Sequence, residues 1–161
     1  MNAQQIFGLQ FVLSLLLYGL LARWYIAPRL APLPLAAALT PLLFLHASRF
    51  LGMVFLVPSV TGGPLPPEFA AAAAYGDLLA SLLAFAAIAA LRMGWAIAVP
   101  LVWLFNLEGT LDLINALLQG LKHNVQLGAA YYIPTVAVPA LLVTHAMIFA
   151  MLLSRARRPP A

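Results

Sequence analysis

Residues 95–120 read WAIAVPLVWLFNLEGTLDLINALLQG. A helix of about 20 mostly apolar residues crosses a hydrocarbon core, and this stretch is apolar for that length. Yet it carries Glu108 and Asp112 near its middle. Those two properties, a spanning length and charge where charge is costly, recur through the chain.

Four further apolar segments qualify as spans, at about 6–26, 34–58, 69–92 and 129–154. They are separated by Pro28, Pro32 and Pro34, by the Gly/Pro-rich residues 61–67, by Arg92-Met93-Gly94 and by residues 120–124. The division at 92–94 is forced by length, because residues 69–120 are too long for one span and Arg92 with Gly94 offers the only turn chemistry near their centre. The expected fold is therefore an all-α integral membrane protein, one bundle of five transmembrane helices. A barrel would need alternating strands of about ten residues, whereas these runs are continuous and rich in Ala and Leu.

Composition agrees. Of 161 residues, 65% are hydrophobic and 7% are charged, against roughly a quarter charged in soluble domains. The absence of cysteine removes disulfides, thiolate metal sites and cysteine nucleophiles. The pI near 10 does not indicate a nucleic-acid partner, because the eight cations are dispersed rather than gathered into a patch. Arg23 and Arg29 fall in the first loop, Arg92 in the third, and Arg155, Arg157 and Arg158 in the tail; Glu68 and Lys122 fall in the second and fourth. The positive-inside rule then puts the C-terminus in the cytoplasm and the N-terminus outside. Trp24, Tyr25 and Trp95 serve as inner interface anchors, Tyr131 and Tyr132 as outer ones. No Lys or Arg precedes the first apolar run, so that run reads as a retained span rather than a signal peptide. The composition fits a bacterial inner membrane.

His46, Arg49, Asp77, Glu108, Asp112 and His145 all lie inside spans. Each charge near the bilayer centre costs about 2.5–3.5 kcal/mol on insertion scales, so such residues turn inward and are functional candidates. At 1.5 Å per residue, His46 and Glu108 come within about 1 Å of the mid-plane, with Arg49, Asp77 and Asp112 about 4–7 Å outward and His145 about 5 Å inward. Glu108, Asp112, Asn115 and Gln119 follow i, i+4, i+7 and i+11, one stripe expected to form a polar path to the outer surface. His46 and Arg49 share a face at i, i+3, as do Asp77 and Ser81 at i, i+4. Ala72, Gly76, Ala80 and Ala84 form a small-residue ridge suited to helix packing, or to a homodimer contact. Gln10, Ser14 and Tyr18 suit interhelical bonds, and Pro41, Pro134 and Pro139 suit bends in the second and fifth helices.

Three buried carboxylates face one buried guanidinium. A low-dielectric interior removes that excess by keeping an acid protonated, by charging a histidine or by taking up a cation. The expected pairing is Arg49 with Asp112 or Glu108, and Thr144 and nearby carbonyls are the expected partners of His145. Four functional classes follow. A binding or transport protein would hold a small cationic or amphipathic ligand, or protons, on Arg49, His46, Asp77, Glu108, Asp112, Asn115, Gln119 and His145. An intramembrane enzyme acting on a sterol, isoprenoid or quinone would use His46, Asp77, Glu108 and Asp112 as catalytic acids and bases. His46 and His145 could ligate a cofactor, although their separation in depth disfavours a bis-histidine haem and no HxxxH or ExxH spacing supports a metal; the sequence names no cofactor. An accessory subunit of a membrane complex would use the cluster structurally. Serine-hydrolase and phosphate-loop motifs are absent, and the sole lysine, Lys122, lies at a loop rather than mid-span where a retinal Schiff base would need it. In format, a small multi-span protein with buried acids and histidines, the chain resembles the emopamil-binding sterol isomerase and sigma-2 receptor group. It shares no motif with them and has five spans to their four, so no residue roles carry over.

Overall fold

A computed structural model describes residues 1–156; Arg157 and Arg158 lie outside the described residues. The described chain is helical, with five helices long and apolar enough to cross a membrane: α1 (Ala3–Leu30), α2 (Leu35–Leu56), α3 (Pro67–Arg92), α4 (Ala98–Lys122) and α5 (Gly128–Arg155). Each expected segment corresponds to one helix. The turn between α3 and α4 falls at the expected place, with Gly94 at φ +67°, a left-handed conformation that glycine adopts without steric cost. Helix ends follow their charges: Asn2 and Gln5 form a reciprocal capping box on α1, Glu68 sits in the first turn of α3, and Arg92 and Lys122 sit in the last turns of α3 and α4, where they complement the helix dipole.

Two prolines, Pro28 and Pro139, are each preceded by a π-helical turn. Pro28 does not end the first helix near residue 26; α1 continues to Leu30 through a π-helical turn, Ala22–Ile26, and Ala27 N–H bonds to Ala22 O. The fifth helix repeats the device, with a π turn at Ile133–Ala137 and Val138 N–H bonded to Ile133 O just ahead of Pro139. A proline lacks its own N–H and its ring crowds the carbonyl four residues back, and widening the preceding turn relieves both. In α2 the backbone tightens, and Ser48–Leu56 is 3₁₀, longer than the three or four residues usual for that helix.

α2, α3, α4 and α5 enclose the core, while α1 stays peripheral and packs chiefly on α5. At the end nearer the α3–α4 turn, Leu39, Leu43, Ala80, Ala84, Val102, Phe105 and Ile148 form one apolar cluster. At the other end Phe55, Phe69, Ala73, Ala74 and Ala130 form a second, and Leu113, Val138 and Leu141 a third. The buried charges lie between them. The small-residue ridge serves this packing: Ala80 and Ala84 are fully buried and Gly76 backs onto Asp112, so as a four-residue dimer face it is not free.

Candidate functional site

Arg49 enters from the 3₁₀ half of α2 and is almost wholly buried. Its Nε donates to Asp77 Oδ1 of α3 at 2.7 Å, its Nη2 to Asp112 Oδ2 of α4 at 2.5 Å, and its Nη1 to the Gly109 carbonyl at 3.1 Å. The planar guanidinium fork thus ties three helices through two ion pairs and a carbonyl. Asp77 was not the expected partner of Arg49; Asp112 was.

Glycines make this approach possible, in a closed order. A Cβ at Gly52 of α2 would overlap the Asp77 carboxylate of α3, and one at Gly76 of α3 would overlap the Asp112 carboxylate of α4. A Cβ at Gly109 of α4 would fall 2.7 Å from Arg49 Nη1 of α2. Each charge of the cluster therefore rests on a glycine of a neighbouring helix, and the three contacts run once around the α2, α3, α4 triangle. Ser81 Oγ adds a 2.6 Å bond to the Ala47 carbonyl, holding α3 to α2 where α2 changes pitch.

Behind the guanidinium lies a histidine pair. His46 and His145 are fully buried, their ring centroids 4.0 Å apart, and Phe105 packs against both. His145 Nδ1 lies 2.7 Å from Asn106 Oδ1, and Asn106 Nδ2 donates to the His145 carbonyl at 3.2 Å. An amide oxygen only accepts, so these partners assign the His145 proton to Nδ1 and leave Nε2 a bare lone pair. That atom has no partner and lies 3.0 Å from the point beside Gly109 that Arg49 Nη1 also approaches. His46 Nε2 lies 3.0 Å from Thr144 Oγ1, which is also 3.0 Å from the carbonyls of Ala140 and Leu141. The other ring nitrogen of His46, Nδ1, is buried with no partner. Thr144 serves His46, not His145 as expected.

The histidines were expected about 5 Å apart in depth, and their contact corrects this. Nine 3₁₀ residues rise about 2.0 Å each rather than 1.5, lengthening the Ser48–Leu56 half of α2 by about 4.5 Å and moving the helix midpoint about 2 Å away from His46, roughly half of the expected offset. With the rings in contact, no haem plane fits between them. Among the described residues no three His, Asp or Glu side chains are grouped to hold a metal ion.

The expected polar stripe of α4 does not run into the site as a unit. Asp112 reaches Arg49, but Glu108 is half-buried with Oε2 unpartnered, Gln119 is half-buried and Asn115 is exposed. The buried arc of α4, Val102, Phe105, Asn106, Gly109 and Leu113, is centred about 100° from that stripe. Asn106, fully buried, is the functional candidate that sequence reading missed. Its signal was angular, since it shares the arc of Gly109 rather than that of the acids. Gln10, by contrast, makes the interhelical bond expected of it, accepting from Tyr131 Oη at 2.7 Å; that engages Tyr131, while Tyr132, Trp24, Tyr25 and Trp95 stay exposed.

Two cavities converge on the cluster. One, of about 120 Å³, lies under the α4–α5 connection and the start of α1, and reaches Asp77 and Asp112. The other, of about 470 Å³, lies between α1, α2 and α5 and reaches Arg49 and Asp77. Each aspartate side chain keeps 11% of its surface accessible, against 1% for Arg49.

Fold and site together define a five-helix protein, rich in apolar surface, with a central arginine clamped by two aspartates between two cavities. Residues 6–153 match the profile of a family described as a domain of unknown function, DUF8737, and the chain belongs to that family. No curated protein and no solved structure matches the chain.

Proposed function

We propose that this is an integral membrane protein whose five helices cross a bilayer of the bacterial inner-membrane type, and that its Arg49–Asp77–Asp112 cluster binds a small cationic or amphipathic ligand, or protons, for recognition or transport. Arg23, Arg29, Arg92 and Arg155 favour the end carrying the α3–α4 turn as the cytoplasmic one, with the N-terminus outside. Large apolar side chains such as Leu16, Leu82, Leu111 and Leu118 are more than half exposed, which suits acyl chains as solvent.

One observation carries the ligand reading. Two carboxylates share a single guanidinium, so with both ionised one negative charge is in excess, and both carboxylates still border a cavity. Arg49 directs its Nε and both terminal nitrogens at protein oxygens, one bond each, so its charge is already committed to the protein, and a cation completes the balance of the two carboxylates. In lipid nanodiscs, methylammonium, guanidinium and tetramethylammonium serve as probes. Asp77→Asn and Asp112→Asn should each weaken binding at least tenfold, with circular dichroism confirming the fold. Unchanged binding in both variants overturns the reading.

The two unpartnered imidazole nitrogens favour a second reading, acid–base chemistry on a lipophilic sterol, isoprenoid or quinone substrate with His46, Asp77, Glu108 and Asp112 as the reacting groups. Turnover that survives removal of all three acids excludes it.

A further inference from the structure

The larger cavity decides what kind of cation fits. The geometry points to a lipophilic amine, its ammonium on Asp77 Oδ2 and its apolar chain in the cavity between α1, α2 and α5, reached from the bilayer through the gap between α1 and α2. This rests on the ligand reading above and adds the substrate class and the access route.

Asp77 commits only one oxygen to Arg49. Oδ1 accepts from Arg49 Nε, while no described side chain donates to Oδ2, which lies against Gly52. Gly52 is itself part of the wall of the larger cavity, so the free acceptor and the absent side chain occur at one place. An ammonium group there would find a carboxylate oxygen with its lone pairs available, and a charge-assisted bond in a site of low dielectric.

Apart from Tyr18, Ser48, Arg49, Asp77 and Thr144, the wall of this cavity is apolar. Its volume, about 470 Å³, falls in the range of small-molecule pockets, roughly 300–1,000 Å³; the outer cavity, about 120 Å³, is below it and suits water and small ions. The access side is marked by packing: α1 lies chiefly on α5 and leaves α2 largely uncovered. Three of the four irregular segments of the long helices also meet here, the exception being the 3₁₀ turn Gly128–Tyr131. Ala22 and Ile26 of the first π turn, Ile133 and Ala137 of the second, and Ser48 and Gly52 of the 3₁₀ stretch all border the same space. Irregular turns of this kind recur at functional sites because they redirect side chains and free backbone groups that a regular helix would occupy.

The test is a chain-length series, methylammonium to octylammonium, measured on the full chain in nanodiscs with wild type, Ala140→Phe to fill the larger cavity and Ala116→Phe to fill the outer one. Taking the ratio of wild-type to variant affinity cancels partition of the amine into the bilayer. Each buried methylene contributes about fourfold. For Ala140→Phe the ratio should stay near one for methylammonium and climb past tenfold by octylammonium, while Ala116→Phe stays flat. Methylammonium binding reports that each variant is folded, and Val143→Phe, at the same cavity, replaces Ala140→Phe if that variant fails. A flat ratio for the α5 variants, or a rising one for Ala116→Phe, overturns the inference and leaves the ligand reading standing. Failure of wild type to bind any member overturns the ligand reading itself.

Discussion

Gly109→Ala adds one methyl group at the point where the cluster closes, and the structure fixes what that methyl meets. It would lie 2.7 Å from Arg49 Nη1, 2.9 Å from His145 Cε1 and 3.0 Å from His145 Nε2, all closer than a carbon ordinarily tolerates. Neither neighbour is free to retreat, since Arg49 is held by Asp77 and Asp112 and His145 by Asn106. Overpacking of this kind costs about 1–3 kcal/mol. Displacing Nη1 from the Gly109 carbonyl removes a charged hydrogen bond, about 1.5–3 kcal/mol more. Alanine's better helix propensity returns about 1 kcal/mol. The expected net loss is about 1.5–5 kcal/mol, at least tenfold in the folded-to-unfolded ratio. Gly8→Ala is the control, because nothing lies within 4 Å of its added methyl and the propensity gain should stand alone, about 0.5–1 kcal/mol of stabilisation. Reversible unfolding by SDS in mixed micelles, followed by circular dichroism, measures both. Gly109→Ala as stable as wild type would refute the claim that glycine is there to admit the guanidinium.

Arg49→Met should lose about 3–5 kcal/mol, because it leaves Asp77 and Asp112 facing each other with no cation; the same titration on Arg49→Met with Asp77→Asn and Asp112→Asn should recover most of it, and no recovery would mean that charge imbalance is not the cause. Asn106→Ala strips the acceptor from His145 Nδ1–H and should lose about 1–3 kcal/mol, read by the same unfolding, while Asn115→Ala, at an exposed position, should change stability by less than about 0.5 kcal/mol. Because the chain has no cysteine, single cysteines report orientation directly: Gln126→Cys should react with an impermeant maleimide on intact cells and Met93→Cys only after lysis, and the reverse pattern would invert the proposed topology.

Much of the fold was legible because length and hydropathy set the spans and punctuation set their ends. Pro28 misled because a proline can be absorbed by a π turn one residue earlier, an outcome that depends on what the helix packs against and not on local chemistry. Arg49, Asp77 and Asp112 were legible as a group because burial of charge is costly and depth along a helix is simple arithmetic. Their pairing was not. Which acid reaches Arg49 depends on helix rotation, and the stripe through Glu108, Asp112, Asn115 and Gln119 sits at the edge of the buried arc of α4, so only Asp112 turns inward. Polar periodicity locates a stripe but not the angle at which neighbouring helices close on it.

Glycine supplies that missing angle. Gly76 read as one step in a packing ridge, and Gly52 and Gly109 carried no reading at all. Yet each lies beneath a charged side chain of another helix. Small residues let helix backbones approach in a membrane bundle; here the space they leave is filled by a carboxylate or a guanidinium instead. Because Gly52 receives α3, Gly76 receives α4 and Gly109 receives α2, a Cβ at any one position pushes on a charge that is bonded to the charge at another. The cluster is therefore over-determined, and substitutions at the three glycines should couple rather than add, as expected for residues that share a network. A site so held keeps Asp77 Oδ2 and the walls of both cavities in fixed relation, and fixed donors and acceptors at a cavity wall are what selective binding requires.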